Sequence, residues 1–269
     1  MSIPKRAVCL SSSIAIAVAE IVLVRCPKPL YISSMPSAPV AIVTAASKGI
    51  GAACARLLAQ RGYHLALFAR GSELGNLATE LDALAVTGDL ADSAAIEQLV
   101  HETQQRYGRV DAVVNNTGHA AKGDLLTLTD EDWHRGLDLL LLNVVRLGRL
   151  VTPIMLAQER PGAFVNISSF VALEPSLSFP VSATIRAGLS AFTKLYVQQY
   201  GPRGLRMNNV LPGRIDTYPV SMEDVRQIPL ARPGTADNVA RVVAFLLSED
   251  AAYMAGQDIL VDGGLVRAM

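Results

Sequence analysis

The chain has 269 residues, 51% of them hydrophobic, and its 24 basic and 24 acidic residues cancel. So apolar a composition supplies a large core and argues against disorder, and zero formal charge without a long basic run argues against a nucleic-acid partner. Cys9, Cys26 and Cys54 lack CxxC spacing and the four histidines form no HExxH pair, so neither a disulfide framework nor a metal site is signalled.

Residues 1–34 differ from the rest. Lys5 and Arg6 precede an apolar stretch over 7–24, interrupted at 11–13 and at Glu20, and Arg25, Cys26 and Pro27 close it. That order suits a signal peptide or a short membrane anchor, but Glu20 near mid-bilayer would cost a few kcal/mol. The alternative is a dispensable extension from a mis-assigned start, because Met35 opens a stretch that leads straight into the first strand. Membrane contact is expected only if 7–24 is a true anchor; otherwise the expected location is the cytoplasm. The domain proper is expected over 35–269.

From Pro39 short apolar runs alternate with amphipathic stretches. Val40–Thr44 is the first expected strand, and 50–61 a helix opened by Gly49 and ended by Gly62. His64–Ala69 and Leu84–Thr87 are the next strands. A helix over Ser93–Tyr107, a strand over 110–115, a long helix over 133–156 and a strand over 162–167 follow. The chain closes with a helix over 182–200, a strand over 206–211, a helix over 235–248 and a strand over 257–261. Strands alternating with long helices imply right-handed βαβ crossovers and a parallel sheet covered on both faces. The expected fold is a single α/β domain, a Rossmann-type doubly wound sheet of seven strands.

The first strand runs into Thr44-Ala45-Ala46-Ser47-Lys48-Gly49-Ile50-Gly51. Small residues in such a turn let backbone N–H groups and a helix N-terminus approach a pyrophosphate. Asp89-Leu90 follows the third strand, Asn115-Asn116-Thr117-Gly118 closes the fourth, and Pro212-Gly213 and Thr217 follow the sixth. The tail runs from Tyr253 through Gly256 to Val261-Asp262-Gly263-Gly264. With these motifs in this order over residues 40–265, the chain resembles the short-chain dehydrogenase/reductase family. The resemblance implies a nicotinamide dinucleotide lying along Thr44, Ser47, Lys48, Gly49, Ile50 and Gly51, with Asp89 and Leu90 at the adenine. It also places Asn116, Thr117 and Gly118 on the cofactor, and Pro212, Gly213 and Thr217 in the loop over the nicotinamide. Ala45 stands where the family has its first glycine, which is tolerable if its φ stays negative. An acid at the end of the second strand would suit NAD and repel a 2′-phosphate. That strand ends instead in Arg70, which with Lys48 suits a phosphate, so the expected cofactor is NADP(H).

In the family a serine follows the fifth strand, a tyrosine acts as general acid/base, a lysine lies one turn on, and an asparagine sits on the preceding long helix. Here Ser169 keeps the serine, but thirteen residues on stands Ser182, four further stands Arg186, and Leu140 takes the asparagine position. The run Ala187-Gly188-Leu189 to Thr193-Lys194 agrees with the family and fixes this register. A serine hydroxyl is a short, poor acid, and arginine does not deprotonate. Arg186 can still hold ribose hydroxyls. Substitutes are Asn143, one turn beyond Leu140, as a water holder, and His119 as proton donor; Tyr218, Glu174 and Lys122 are weaker candidates. Two readings stay open. One is an NADP(H)-dependent oxidoreductase on an unknown carbonyl or alcohol with a non-standard proton donor; the other is an inactive cofactor-binding protein, a sensor or partner subunit. The family pairs its long helices, and with Val144, Val145, Leu189 and Phe192 on them the expectation is a homodimer or homotetramer.

Overall fold

Successive strand residues point to opposite faces of a sheet, and in this chain both faces are apolar. The computed structural model describes residues 38–158, 160 and 162–267. The extension over 1–34 lies outside the described residues. The strands are β1 (Val40–Thr44), β2 (His64–Ala69), β3 (Leu84–Thr87), β4 (Ala112–Asn115), β5 (Ala163–Ile167), β6 (Arg206–Pro212) and β7 (Asp258–Val261). All pair in parallel, in the order β3-β2-β1-β4-β5-β6-β7. The order reverses beside β1, which opens a crevice at the carboxyl ends of β1 and β4, the usual ligand position in such sheets.

The helices are α1 (Gly49–Gln60), α2 (Glu73–Leu81), α3 (Ser93–Tyr107), α4 (Asp130–Leu137), α5 (Asn143–Ala157), α6 (Pro180–Tyr200), α7 (Met222–Arg226) and α8 (Ala236–Leu247). On one face Ala41, Val43, Leu65 and Leu67 meet Leu58 of α1, Leu74 of α2 and Val243 of α8. On the other, Ile42, Phe68, Val113 and Phe164 meet Leu99 of α3, Leu147 and Val151 of α5 and Tyr196 of α6. The alternation along each strand thus feeds two separate cores, as a doubly wound sheet requires.

Helix α2 was not among the expected elements, although Leu74, Leu77 and Ala78 are buried at helical spacing. Helix α6 starts at Pro180, two residues earlier than expected, because proline suits the first helical position. The expected long helix runs over Asp130–Ala157, opened by a reciprocal Thr129–Asp132 cap. A π turn at Asp138–Leu142 interrupts it. Among the described residues it is the one helix long and apolar enough to cross a membrane; Leu147, Val151 and Met155 instead fill the core. Val144 and Leu189 are also core residues, 2% and 1% exposed, so they add no free apolar surface for self-association. Neither residue supports the expected homodimer or homotetramer. Gly136 lets α4 and α6 touch, since a Cβ there would lie 2.3 Å from Val181 Cγ1.

Candidate active site

The turn between β1 and α1 is held from below. The Thr44 hydroxyl donates to Asn116 O (2.6 Å) and accepts from Asn116 N (2.9 Å), which ties the end of β1 to β4. Thr44 is fully buried and acts as a brace for the turn. Asn116 Nδ2 donates to Ala45 O (3.2 Å), and a Cβ on Gly51 would lie 2.3 Å from that same oxygen. The carbonyl therefore has to point into the helix start, which drives Ala45 to φ +44°. The condition on which alanine is tolerable there, a negative φ, is therefore not met: an L-residue in the left-handed region costs about 1–2 kcal/mol. Ala45→Gly should raise stability by about 0.5–1 kcal/mol after the added freedom of the unfolded chain is counted, or roughly 1–4 °C in a thermal melt. An unchanged or lower melting temperature would show that the turn relaxes the strain another way.

The cradle fits a pyrophosphate. No side chain caps α1, so its first amides beside Ser47, Lys48, Gly49 and Ile50 are open to an anion. Thr117 Oγ1, on the loop after β4, is buried without a hydrogen-bond partner among the described residues, which calls for a ligand or water there. Thr217 closes the other side, 3.2 Å from where a Gly49 Cβ would stand. Gly213 packs against Asp262 of the tail, whose carboxylate accepts from Gly264 N and Val266 N.

At the adenosine end Arg70 is exposed, its Nη1 3.9 Å from Asp89 Oδ2, while Arg135 of α4 donates to the same oxygen at 2.9 Å. Burial alone would raise the Asp89 pKa; the Ala91 amide, Arg135 and Arg70 outweigh it and hold the carboxyl below its ordinary value. Arg135 had no signature in the sequence, since its pairing is made only by folding. Leu90 points into the core at 6% exposure, so only its backbone can meet a cofactor.

At the carboxyl end of β5 the substituted residues come together. Arg186 is 7% exposed; its Nε donates to Ser182 Oγ (3.1 Å) and its Nη1 to Ile167 O (2.8 Å). Burial pushes its pKa down to about 10, so it stays cationic at neutral pH. Ser169 Oγ accepts weakly from Val171 N at 3.5 Å. Leu140 lies in the π turn, sealed with Val181 and Ile185 in a small apolar cluster. Asn143 is buried, and its Oδ1 accepts from Val144 N; no hydrogen bond joins it to Ser182 or Arg186 among the described residues. His119 keeps solvent contact and meets Tyr218 edge-on at 5.9 Å. Partial desolvation, and then the charges of Lys122 and Arg186, lower its pKa. Lys122 Nζ sits 4.7 Å from the Phe179 ring, just before α6. Glu174 is committed to Arg267 N at 3.0 Å. Tyr218 also lines a cleft of about 470 Å³ with Asp216, Thr217 and Pro233. No metal-holding cluster is found among the described residues.

A protein-family model described as enoyl-(acyl carrier protein) reductase matches residues 44–266. The chain belongs to the short-chain dehydrogenase/reductase family. Among its relatives, a 3-oxoacyl-[acyl-carrier-protein] reductase of Synechocystis is 34% identical over 242 residues, covering 86% of this chain and 98% of the relative. The FabG reductase of Thermotoga maritima is 33% identical over 240 residues, covering 84% and 97%. In fold the chain is similar to L-sorbose reductase of Gluconobacter frateurii complexed with NADPH and L-sorbose, with TM-score 0.80, 27% identity and coverage of 87% and 98%. It is also similar to an NADPH-bound blue fluorescent protein from a metagenomic library, with TM-score 0.79, 30% identity and coverage of 85% and 98%. As a short-chain dehydrogenase/reductase the chain is an NAD(P)(H)-binding oxidoreductase-family protein built on a seven-stranded parallel sheet.

Proposed function

We propose that this protein is an NADP(H)-dependent oxidoreductase that interconverts a carbonyl and an alcohol. The observation that carries the cofactor choice is Arg70, exposed at the end of β2 where an acid would be needed for NAD. The NADPH-bound structural neighbours support it. The bound cofactor supplies the hydride. The chain's residues do the rest: the turn places the dinucleotide, Ser169 orients the carbonyl, and His119 gives up the proton that the new hydroxyl needs. A cytoplasmic location, a domain spanning 35–269 and self-association belong to the same proposal; the last is supported by Leu195 on α6, 62% exposed.

One observation favours a second reading, a cofactor-binding protein without turnover: Leu140 plugs the space beside α6 with Val181 and Ile185, where a water relay would otherwise run. Turnover decides between the two. NADPH oxidation across a panel of ketones, aldehydes and 2-oxo acids is expected for at least one compound, and tight NADPH binding with no turnover on any would leave the second reading standing. In a parallel titration NADPH should bind about ten-fold or more tighter than NADH, since a charge-assisted phosphate contact is worth about 1.5–3 kcal/mol. Arg70→Asp should reverse that order, and equal affinities in the unmodified protein would refute the cofactor assignment.

A further inference from the structure

Arg186 is a buried cation with no counter-charge among the described residues. Its Nε and Nη1 are committed to Ser182 Oγ and Ile167 O, both uncharged acceptors. Its Nη2 donates to no group among the described residues and is not sealed from solvent. No carboxylate lies within ion-pair distance of it among the described residues. A buried guanidinium without an anion is costly to the fold. It is retained at low cost only where a ligand brings the missing charge. Its surroundings repeat the sign: Lys122 and Arg186 both act on His119. Arg214, already paired with Asp224, lies over the Phe170 and Phe179 rings. No side chain caps α6, so the positive end of that helix adds to the same field.

The cofactor's own pyrophosphate does not answer this charge. Its cradle is at the end of β1, and Arg186 is at the end of β5, two strands away and so roughly 10 Å off. A neutral carbonyl or ribose hydroxyls alone would leave the cation uncompensated. Ser182 Oγ, which accepts from Arg186 Nε, keeps its own proton to donate beside Nη2.

We propose that the site takes an anionic substrate, a carbonyl compound with a carboxylate beside the reacting carbon, and that Arg186 with Ser182 binds that carboxylate. This rests on the oxidoreductase reading for the word substrate, but the anion site is tested without turnover. The probe is oxamate against its neutral analogue oxamide, titrated by calorimetry into the protein with and without NADPH. Oxamate is expected to bind about ten-fold or more tighter than oxamide. Arg186→Leu should remove that preference, and Arg186→Lys, which keeps the charge on a shorter stem, should keep part of it. Equal binding of the two probes by the unmodified protein overturns the proposal even if no variant folds. So does a preference that survives Arg186→Leu. If oxamate binds as expected but no 2-oxo acid or other carbonyl turns over, the oxidoreductase reading fails and the anion site stands. If neutral ketones are reduced and oxamate binds no better than oxamide, the reverse holds.

Discussion

Replacing His119 by alanine is expected to slow carbonyl reduction by about 10²- to 10⁴-fold, the usual contribution of a positioned general acid, with NADPH affinity unchanged. The Ser182 hydroxyl is a poor acid, Arg186 holds its proton, and Glu174 is tied to the tail. In the proposed mechanism the titratable proton is that of His119, which stands against Tyr218. Its pKa is lowered from the ordinary imidazole value of about 6.5. The sign follows directly. Reduction needs the imidazolium, so its rate should rise as pH falls through the depressed pKa and decline above it. In the oxidative direction the neutral ring accepts the proton, and that rate should persist at neutral pH and be lost on acidification. Lys122→Gln, by removing one repelling charge, should move both profiles to higher pH. A pH profile untouched by His119→Ala would assign the proton to Tyr218 or to water.

Gly51→Ala should be the most damaging single change to cofactor binding. The added Cβ would lie 2.3 Å from Ala45 O, a backbone atom, and 2.8 Å from Asn116 Nδ2, which is hydrogen-bonded to that same oxygen. Ala45 is already in the left-handed region, so the turn has little room to give. Overpacking of this kind costs about 1–3 kcal/mol of stability. A displacement of about 1 Å in a placed group can cost on the order of 10²-fold, here expected in NADPH affinity. Fluorescence titration of NADPH and a thermal melt would read the two effects separately. Unchanged NADPH affinity would show that this turn is not the pyrophosphate seat.

Much of this was legible before folding. Apolar runs such as Val40–Thr44 and the helical spacing of Ile96, Leu99 and Thr103 name their elements by local periodicity, and alternation of the two elements implies the parallel sheet. Helix α2 carries the same signal in Leu74, Leu77 and Ala78, but over only nine residues. The register from Ser169 to Ser182 and Arg186 is also a property of the chain alone, because a gapless run fixes it. What the residues touch is not. The φ of Ala45 is set by Asn116, seventy-one residues away, and by the closeness of Gly51. Arg135 reaches Asp89 across forty-six residues. Nothing in the order of residues says that Arg186 is buried without an acid, or that Leu140 is sealed against α6 by a π turn. Periodicity and spacing are local quantities and survive in a one-dimensional reading. Strain, burial and missing counter-charge are relations between distant segments, and only the packed fold sets them.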